Sequence, residues 1–209
     1  MVNSIFTNSK RNLILLAFTL SGFTALVYEI AWIRPLQLIF GSTIYAVSTI
    51  LTTFMFGFAL GAYTHRDLVE KSKNPALLFA GLELGIGLYG LIALYLFTIL
   101  PSIYLSLLNI PGFQFLQFFL VFLVIIIPAT LFGATWPVIA KTYSTIKNLG
   151  EDIGMLYSFN SLGAALGSIA AGFLIIPLLG ITKTSLFATS LNLLIALIIF
   201  IIFRRKNGS

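Results

Sequence analysis

The chain has 209 residues, of which 59% are hydrophobic and 9% are charged, and its formal net charge is +6. A soluble domain of this length needs a polar shell that this composition does not supply, so the composition indicates an integral membrane protein. Because the chain has no cysteine, disulfides, thiolate metal sites and cysteine nucleophiles are excluded.

Six apolar segments, separated by polar breaks, are long enough to cross a bilayer. They predict an all-α integral membrane fold, a single polytopic domain over residues 1–209 with about six transmembrane helices. The first segment is too long for the apolar region of a signal peptide and no cleavage motif follows it, so we expect it to remain in the protein. The segments are residues 12–36, 43–64, 76–100, 113–140, 153–178 and 182–203.

Lysine and arginine residues fall mainly on the side of the membrane that holds the termini. Six crossings place both termini on one side, where ten cations fall, against two on the other side, Arg34 and Lys183. This bias predicts cytoplasmic termini in a multi-pass protein of the plasma or inner membrane. It also accounts for the net charge, so we expect the lipid bilayer, and no nucleic acid, as the partner of the basic groups. The ten cations are Lys10, Arg11, Arg66, Lys71, Lys73, Lys141, Lys147, Arg204, Arg205 and Lys206.

The first span carries two charged residues, Glu29 and Arg34, beside the aromatic residues Tyr28 and Trp32. A charge inside the bilayer is costly unless it is paired, neutralised or hydrated, so such residues are functional candidates. Two interpretations stay open. Either Glu29 is functional, or the two charges only fix helix packing, with Arg34 extending to the headgroups. Glu83, in the third span, is the other carboxylate that we expect within a span.

Small residues four positions apart occur in the second span, at Gly57 and Gly61, and in the fifth, at Gly163 and Gly167. Such stripes let two helix backbones approach closely, which is how helices associate in lipid. We therefore expect these glycines to be helix-packing positions. They form either the subunit seam of a homodimer or contacts inside one subunit.

Prolines in the first and fourth spans predict interrupted helices. Pro35, Pro128 and Pro137 cannot donate to the carbonyl four residues earlier, so we expect kinks there, with freed carbonyls that protein or water must satisfy.

An internal repeat of three helices is also predicted. Trp32 stands near Pro35, Trp136 stands beside Pro137, and the small-residue helices are the second and fifth spans. Because three is odd, the second copy would enter from the opposite side. The result would be a 3+3 inverted repeat that resembles half of a major facilitator transporter. A working transporter built from such halves would most simply be a homodimer.

Several stretches, in order along the chain, carry a family resemblance: SGFTALVYEIAWIR at 21–34, FGSTIYAVS at 40–48, GFALG at 57–61, LELGIGLYG at 82–90, FGATWP at 132–137 and YSFNSLGAALG at 157–167. Together they resemble the membrane region of the transmembrane spermidine synthase-like family, also described as fused major facilitator and spermidine synthase proteins. The resemblance covers nearly the whole chain.

The resemblance implies a cytosolic aminopropyltransferase domain after the membrane region, whereas this sequence ends at Ser209. No glycine-rich turn after a strand, no acidic catalytic loop and no Ser/His/Asp or zinc set is present, so we expect no enzyme activity, no metal and no cofactor. The chain is then either a natural stand-alone membrane member or a trimmed one, with Gly208 and Ser209 as a cloning remnant.

Function is predicted from the resemblance first and from the charged residues second. We expect a transporter-like, ligand-binding membrane domain that handles a polyamine or a related organic cation. The alternative is a non-transporting anchor or scaffold for a separately encoded or truncated aminopropyltransferase domain. A membrane-embedded enzyme comes third, because the sequence lacks a catalytic constellation. Carboxylates would attract an ammonium group, and aromatic faces would contact it unless they form the interfacial belt. The ligand-binding candidates are Glu29, Arg34, Glu83, Tyr28, Trp32, Trp136 and Asn160.

Overall fold

A computed structural model describes residues 8–40, 43–107, 113–144 and 148–204. These residues contain no strand, and the predicted all-α fold with several apolar helices long enough to cross a membrane is confirmed. The predicted positions 41–42, 108–112, 147 and 205–209 lie outside the described residues. The helices are α1 (Asn8–Phe40), α2 (Thr43–Thr64), α3 (Arg66–Lys71), α4 (Pro75–Leu107), α5 (Phe113–Tyr143), α6 (Leu149–Ile169) and α7 (Ile176–Arg204), with a π-helical segment, Ala170–Ile175, between the last two.

The stretch from Leu149 to Arg204 is one helical run of 56 residues, which is too long for a single crossing. A straight α-helix of that length would measure about 84 Å, against a hydrocarbon core of about 30 Å. The run breaks at Gly180, whose φ is 78° and ψ is 171°. This left-handed φ is readily adopted by glycine and strained for other residues.

Contacts on the two sides of this break show that the chain reverses direction. Before it, Asp152 lies at Arg11 and Gly167 lies against Phe23, so α6 runs parallel to α1. After it, Thr189 bonds Tyr28 and the ring of Phe203 lies under Lys10, so α7 runs antiparallel to α1. Residues 149–204 therefore supply two spans, which gives six.

The predicted cytoplasmic segments meet at one end of the bundle. Arg11 forms an ion pair with Asp152, and the Asn74 amide donates to the carbonyl of Phe203 at 3.3 Å. Lys141 donates to carbonyls at the end of α3, the nearest at 2.7 Å. The start of α1, the α2–α4 connection, the end of α5, the start of α6 and the end of α7 thus share one face, here called the terminal end. Its cytoplasmic orientation stays a prediction from the charge bias.

Glycine contacts join α2 to α5 and, in the same way, α6 to α1. A Cβ built on Gly61 would meet the backbone of Thr130, and one built on Gly133 would meet the backbone of Phe58. In the other pair, Gly163 faces the backbone of Thr19 and Gly22 faces that of Asn160. Both pairs run parallel.

The two sets of contacts match residue by residue. Gly61 and Thr130 correspond to Gly163 and Thr19, and Gly133 and Phe58 correspond to Gly22 and Asn160. In this match the difference in residue number is constant between α1 and α5, and it has a second constant value between α2 and α6. The helices of the first half are α1, α2 and α4, and those of the second half are α5, α6 and α7. This equivalence is the packing of a 3+3 inverted repeat. Under the same offset Trp32 corresponds to Tyr143 and Trp136 to Ala25. The Trp and Pro coincidences that suggested the repeat are therefore not equivalent positions.

The helices continue through their prolines, so the expectation of interrupted helices is wrong, whereas the expected kinks stay a prediction. Pro35 lies inside α1, and Pro128 and Pro137 lie inside α5. The carbonyl of Val124, which Pro128 leaves without its usual donor, accepts a hydrogen bond from the Tyr89 hydroxyl at 2.7 Å. A neighbouring helix therefore replaces the missing bond, as membrane depth requires.

Candidate functional site

A cavity of about 490 Å³ lies between α1, α2, α5 and α6, the four helices joined by the glycine contacts. Its size falls within the range of small-molecule sites. None of the residues that line it is a lysine, arginine, aspartate or glutamate. We call it the aromatic cavity, after the rings of Phe18, Phe58, Phe132, Trp136 and Tyr157 in its wall.

The rings of the aromatic cavity are arranged around Trp136. Its ring centroid lies 5.4 Å from that of Phe18 and 6.3 Å from that of Tyr157, the latter at an interplanar angle of 83°. Asn160 also lines the cavity and supplies its amide. Rings presented in this way can attract an ammonium group within about 6 Å of a ring centroid.

The Glu83 carboxylate does not line this cavity but is hydrogen-bonded to a residue that does, Ser21. It is fully buried and accepts hydrogen bonds from Ser21 Oγ and from Asn192 Nδ2, each at 2.6 Å. Ser21 also lines the aromatic cavity. No basic side chain among the described residues pairs with Glu83. A membrane-buried carboxylate without a counter-ion is a functional candidate on physical grounds.

Tyr28 does not line the aromatic cavity. Its buried hydroxyl shares a hydrogen bond with Thr189 Oγ1 at 2.8 Å, and Gly90 of α4 lies against both groups. Thr189 stands one turn before Asn192 on α7. The two hydrogen-bonded clusters, Ser21–Glu83–Asn192 and Tyr28–Thr189, thus form a buried polar seam where α1, α4 and α7 meet.

Glu29 and Arg34 do not pair with each other. Glu29 is 6% exposed and stands four residues after Ala25, on the helix face that lines the aromatic cavity. Arg34 is exposed, and the ion pairs among the described residues do not include either group. The packing interpretation through a Glu29–Arg34 pair therefore has no contact to support it. Glu29 also lies about 12 Å along α1 from Ser21, so it does not meet Glu83.

A second cavity, of about 480 Å³, lies between α1, α4 and α7 at the end of the bundle opposite to the terminal end. We call it the distal cavity. Trp32 and Arg34 line it, as do Gln37, Thr182 and Ser185.

The structure therefore divides the candidates that the sequence grouped together. Trp136 and Asn160 belong to the aromatic cavity, Trp32 and Arg34 belong to the distal cavity, and Glu83 lies in the polar seam. Sequence reasoning missed the wall residues Phe18, Phe58 and Phe132 and the polar residues Ser21 and Ser185. Serines inside apolar spans were the available signal for the latter two.

The four stripe glycines lie against helices of their own chain. Gly57 faces Ala129 of α5, and Gly61 lies on the same interface. Gly163 and Gly167 lie against the backbone of α1. These surfaces are already covered inside the subunit, so a seam between two copies would have to use another face.

Comparison with curated proteins finds similarity to a polyamine aminopropyltransferase of Leptospira interrogans, which is 30% identical over 172 residues, or 82% of this chain and 32% of that protein. Polyamine aminopropyltransferase 1 of Streptomyces coelicolor is 23% identical over 208 residues, or 97% of this chain and 36% of that protein. The chain thus resembles polyamine aminopropyltransferases over about a third of their length. No protein-family model and no solved structure matches it.

These relatives correct one expectation. The sequence predicted no enzyme activity, but both relatives are named as enzymes, so the prediction of a non-enzyme is wrong as it was stated. The resemblance to a spermidine synthase-like family is supported at the coarser level of partial similarity to polyamine aminopropyltransferases.

Proposed function

We propose that this chain is a membrane domain of a polyamine aminopropyltransferase system and that it binds a polyamine or a related organic cation in the aromatic cavity. The observation that carries the proposal is the position of the Glu83 carboxylate behind Ser21, at a cavity whose wall contains five aromatic rings. The names of the relatives supply the class of ligand.

The chemistry of this wall fits a polyamine. Such a molecule alternates ammonium groups with short methylene chains, so aromatic rings can bury the methylenes and attract the ammonium groups with their faces. A hydroxyl has one donor and two acceptor positions, so Ser21 can keep its bond to Glu83 while it accepts one from an ammonium group. The carboxylate would then balance the ligand's charge without moving.

The position of the cavity fits a transport role. It lies where the two inverted repeats meet, which is the usual place of the substrate site in transporters built from such repeats. Met55 and Tyr157 line it and are 56% and 65% exposed, so the cavity is open on the α2 and α6 side. We propose that a second copy of the chain covers this side.

Binding of radiolabelled spermidine to the purified protein in detergent tests the proposal. Trp136→Leu should weaken binding by about 2- to 30-fold, the value of one cation–π contact at a partly desolvated site. Phe119→Leu, on the exposed surface of α5, is the matched control and should leave binding unchanged. Absence of saturable spermidine binding to the folded wild-type chain would exclude the proposal.

A second candidate function is that of a membrane anchor for an aminopropyltransferase domain or partner. The observation that favours it is that the similarity extends over only about a third of two relatives named for that activity. A chain that binds no spermidine but retains an aminopropyltransferase on membranes would support the anchor. Washing the membranes with high salt and assaying what remains bound would measure this.

A further inference from the structure

The distal cavity contains buried polar atoms that have no partner. Trp32 is 1% exposed and Ser185 is fully buried, and both line the cavity. Among the described residues, the indole N–H of Trp32 and the hydroxyl oxygen of Ser185 have no hydrogen-bond partner. A buried polar group left unsatisfied costs about 1–3 kcal/mol, so two such groups at one cavity indicate a ligand that supplies the missing bonds.

The groups at this cavity are mainly donors. Trp32 can only donate, and so can the guanidinium of Arg34. The hydroxyls of Thr182 and Ser185 can donate as well. No aspartate or glutamate is among the described residues that line the cavity. The complementary ligand therefore carries acceptor oxygens and a negative charge.

Charge and shape at this end of the bundle agree with such a ligand. Arg34 is one of the two cations that the charge bias assigns to this side, and the other, Lys183, directly follows the lining residue Thr182. The rest of the wall is apolar, with Leu94, Phe97 and Ile181. An oxyanion attached to an apolar group would fill both parts of the cavity.

We propose that the distal cavity is a second binding site, separate from the aromatic cavity, for a carboxylate or phosphate oxyanion attached to an apolar chain. The oxyanion accepts from Trp32, Arg34 and Ser185, and the chain lies on the apolar wall. A free amphipathic anion and the headgroup of an anionic lipid share this chemistry. A polyamine does not, because Arg34 would repel it and no carboxylate would balance it.

Fluorescence of Trp32 tests the proposal directly. The chain has two tryptophans, so Trp136→Phe leaves Trp32 as the single emitter. Purified protein in an uncharged detergent is titrated with hexanoate and hexyl phosphate as free anions, with dioctanoyl phosphatidic acid as the lipid, and with hexylamine as the cationic control. We expect a saturable change in Trp32 emission with the anions and none with hexylamine. Thermal shift of the unmodified chain provides a second measurement that does not depend on Trp136→Phe.

Single substitutions test which side chains contact the bound anion. Arg34→Gln should weaken anion binding about tenfold or more, the effect of a lost charge-assisted hydrogen bond, whereas Arg66→Gln at the terminal end should not change it. Ser185→Ala should weaken binding without lowering the melting temperature of the ligand-free protein, because that hydroxyl has no partner to lose.

The outcomes distinguish a free anion from a lipid headgroup, and some of them would overturn the proposal. Saturation by hexanoate or hexyl phosphate supports a free anion, and saturation by phosphatidic acid alone supports a lipid. No saturable response to any anion, an equal response to hexylamine, or anion binding unchanged by Arg34→Gln would each overturn the proposal. A failure to bind spermidine in the aromatic cavity would not overturn this proposal, because the two cavities are tested with ligands of opposite charge.

Discussion

Replacing Glu83 with glutamine separates the ligand-binding role of this carboxylate from a structural one. Glutamine keeps the length and shape of the side chain and removes its charge. The Ser21 hydroxyl can still donate to the carbonyl oxygen of the introduced amide, which takes the place of Oε1. In the unmodified protein Asn192 donates to Glu83 through Nδ2, and its Oδ1 has no partner among the described residues. A flip of the Asn192 amide would let Oδ1 accept from the introduced amide, so both bonds survive.

The expected energies follow from these contacts. Glu83→Gln retains two hydrogen bonds and removes a buried charge without a counter-ion, so we expect unchanged or slightly higher thermal stability. Glu83→Ala removes both bonds and leaves Ser21 and Asn192 unsatisfied. Interhelical hydrogen bonds in membranes average about 0.6 kcal/mol, with a maximum near 1.7, so two lost bonds should cost about 1–3 kcal/mol.

Spermidine binding should be weakened by Glu83→Gln even though the stability of the protein is not. If Glu83 balances the charge of a bound polyamine through Ser21, Glu83→Gln should weaken spermidine binding about tenfold or more, because two opposite charges about 5 Å apart attract by about 3 kcal/mol at an effective dielectric constant of about 20. Thermal melts and radioligand binding on the same detergent samples measure both quantities, with Glu70→Gln on the short helix α3 as the exposed control. Unchanged spermidine binding in a stable Glu83→Gln protein would refute the reasoning, and so would a loss of stability as large as that of Glu83→Ala.

Further predictions concern packing, topology and assembly. Tyr89→Phe should destabilise the protein by about 1 kcal/mol in thermal melts, because the Val124 carbonyl loses its donor. Gly61→Leu should disrupt the α2–α5 contact and lower the yield of folded protein, whereas Gly81→Leu, where a Cβ meets nothing within 4 Å, should be tolerated in the same size-exclusion assay. Reporter fusions should place residues 65–75 in the cytoplasm, and an external signal would contradict the assigned orientation. Mass measurement in a mild detergent should give a dimer, and a stable monomer would favour the anchor.

The membrane fold could be predicted because it depends on local composition. Apolar segments of sufficient length set the helices, and the second predicted segment, 43–64, coincides with α2 (Thr43–Thr64). The effect of the prolines was only partly predictable. The sequence shows that Pro128 leaves a carbonyl without its usual donor, but it does not show which neighbour supplies one. Tyr89 lies 35 residues from the carbonyl that it satisfies.

The candidate site was less predictable because it depends on how helices face each other. Trp32 and Trp136 look alike in the sequence, yet they line different cavities. Glu83 was identified from its charge alone. Its hydrogen-bond partners Ser21 and Asn192 could not be identified in this way, because they lie on other helices, far from Glu83 in the sequence. Residue type therefore indicated the chemistry, and the packing of α1 against α4 and α7 determined where it is placed.

The inverted repeat has a consequence for the direction in which a ligand can lie. The same offsets that relate the glycine contacts make Ser21 equivalent to Phe132 and Asn160 equivalent to Phe58, and all four line the aromatic cavity. The backbone there is nearly two-fold symmetric, but a polar side chain on one side of the axis faces a ring on the other. The Phe58 and Phe132 rings lie 6.5 Å apart and form one continuous apolar side. A molecule with unlike ends would therefore bind in a single orientation, which gives a duplicated scaffold a polarity that its helices alone do not have.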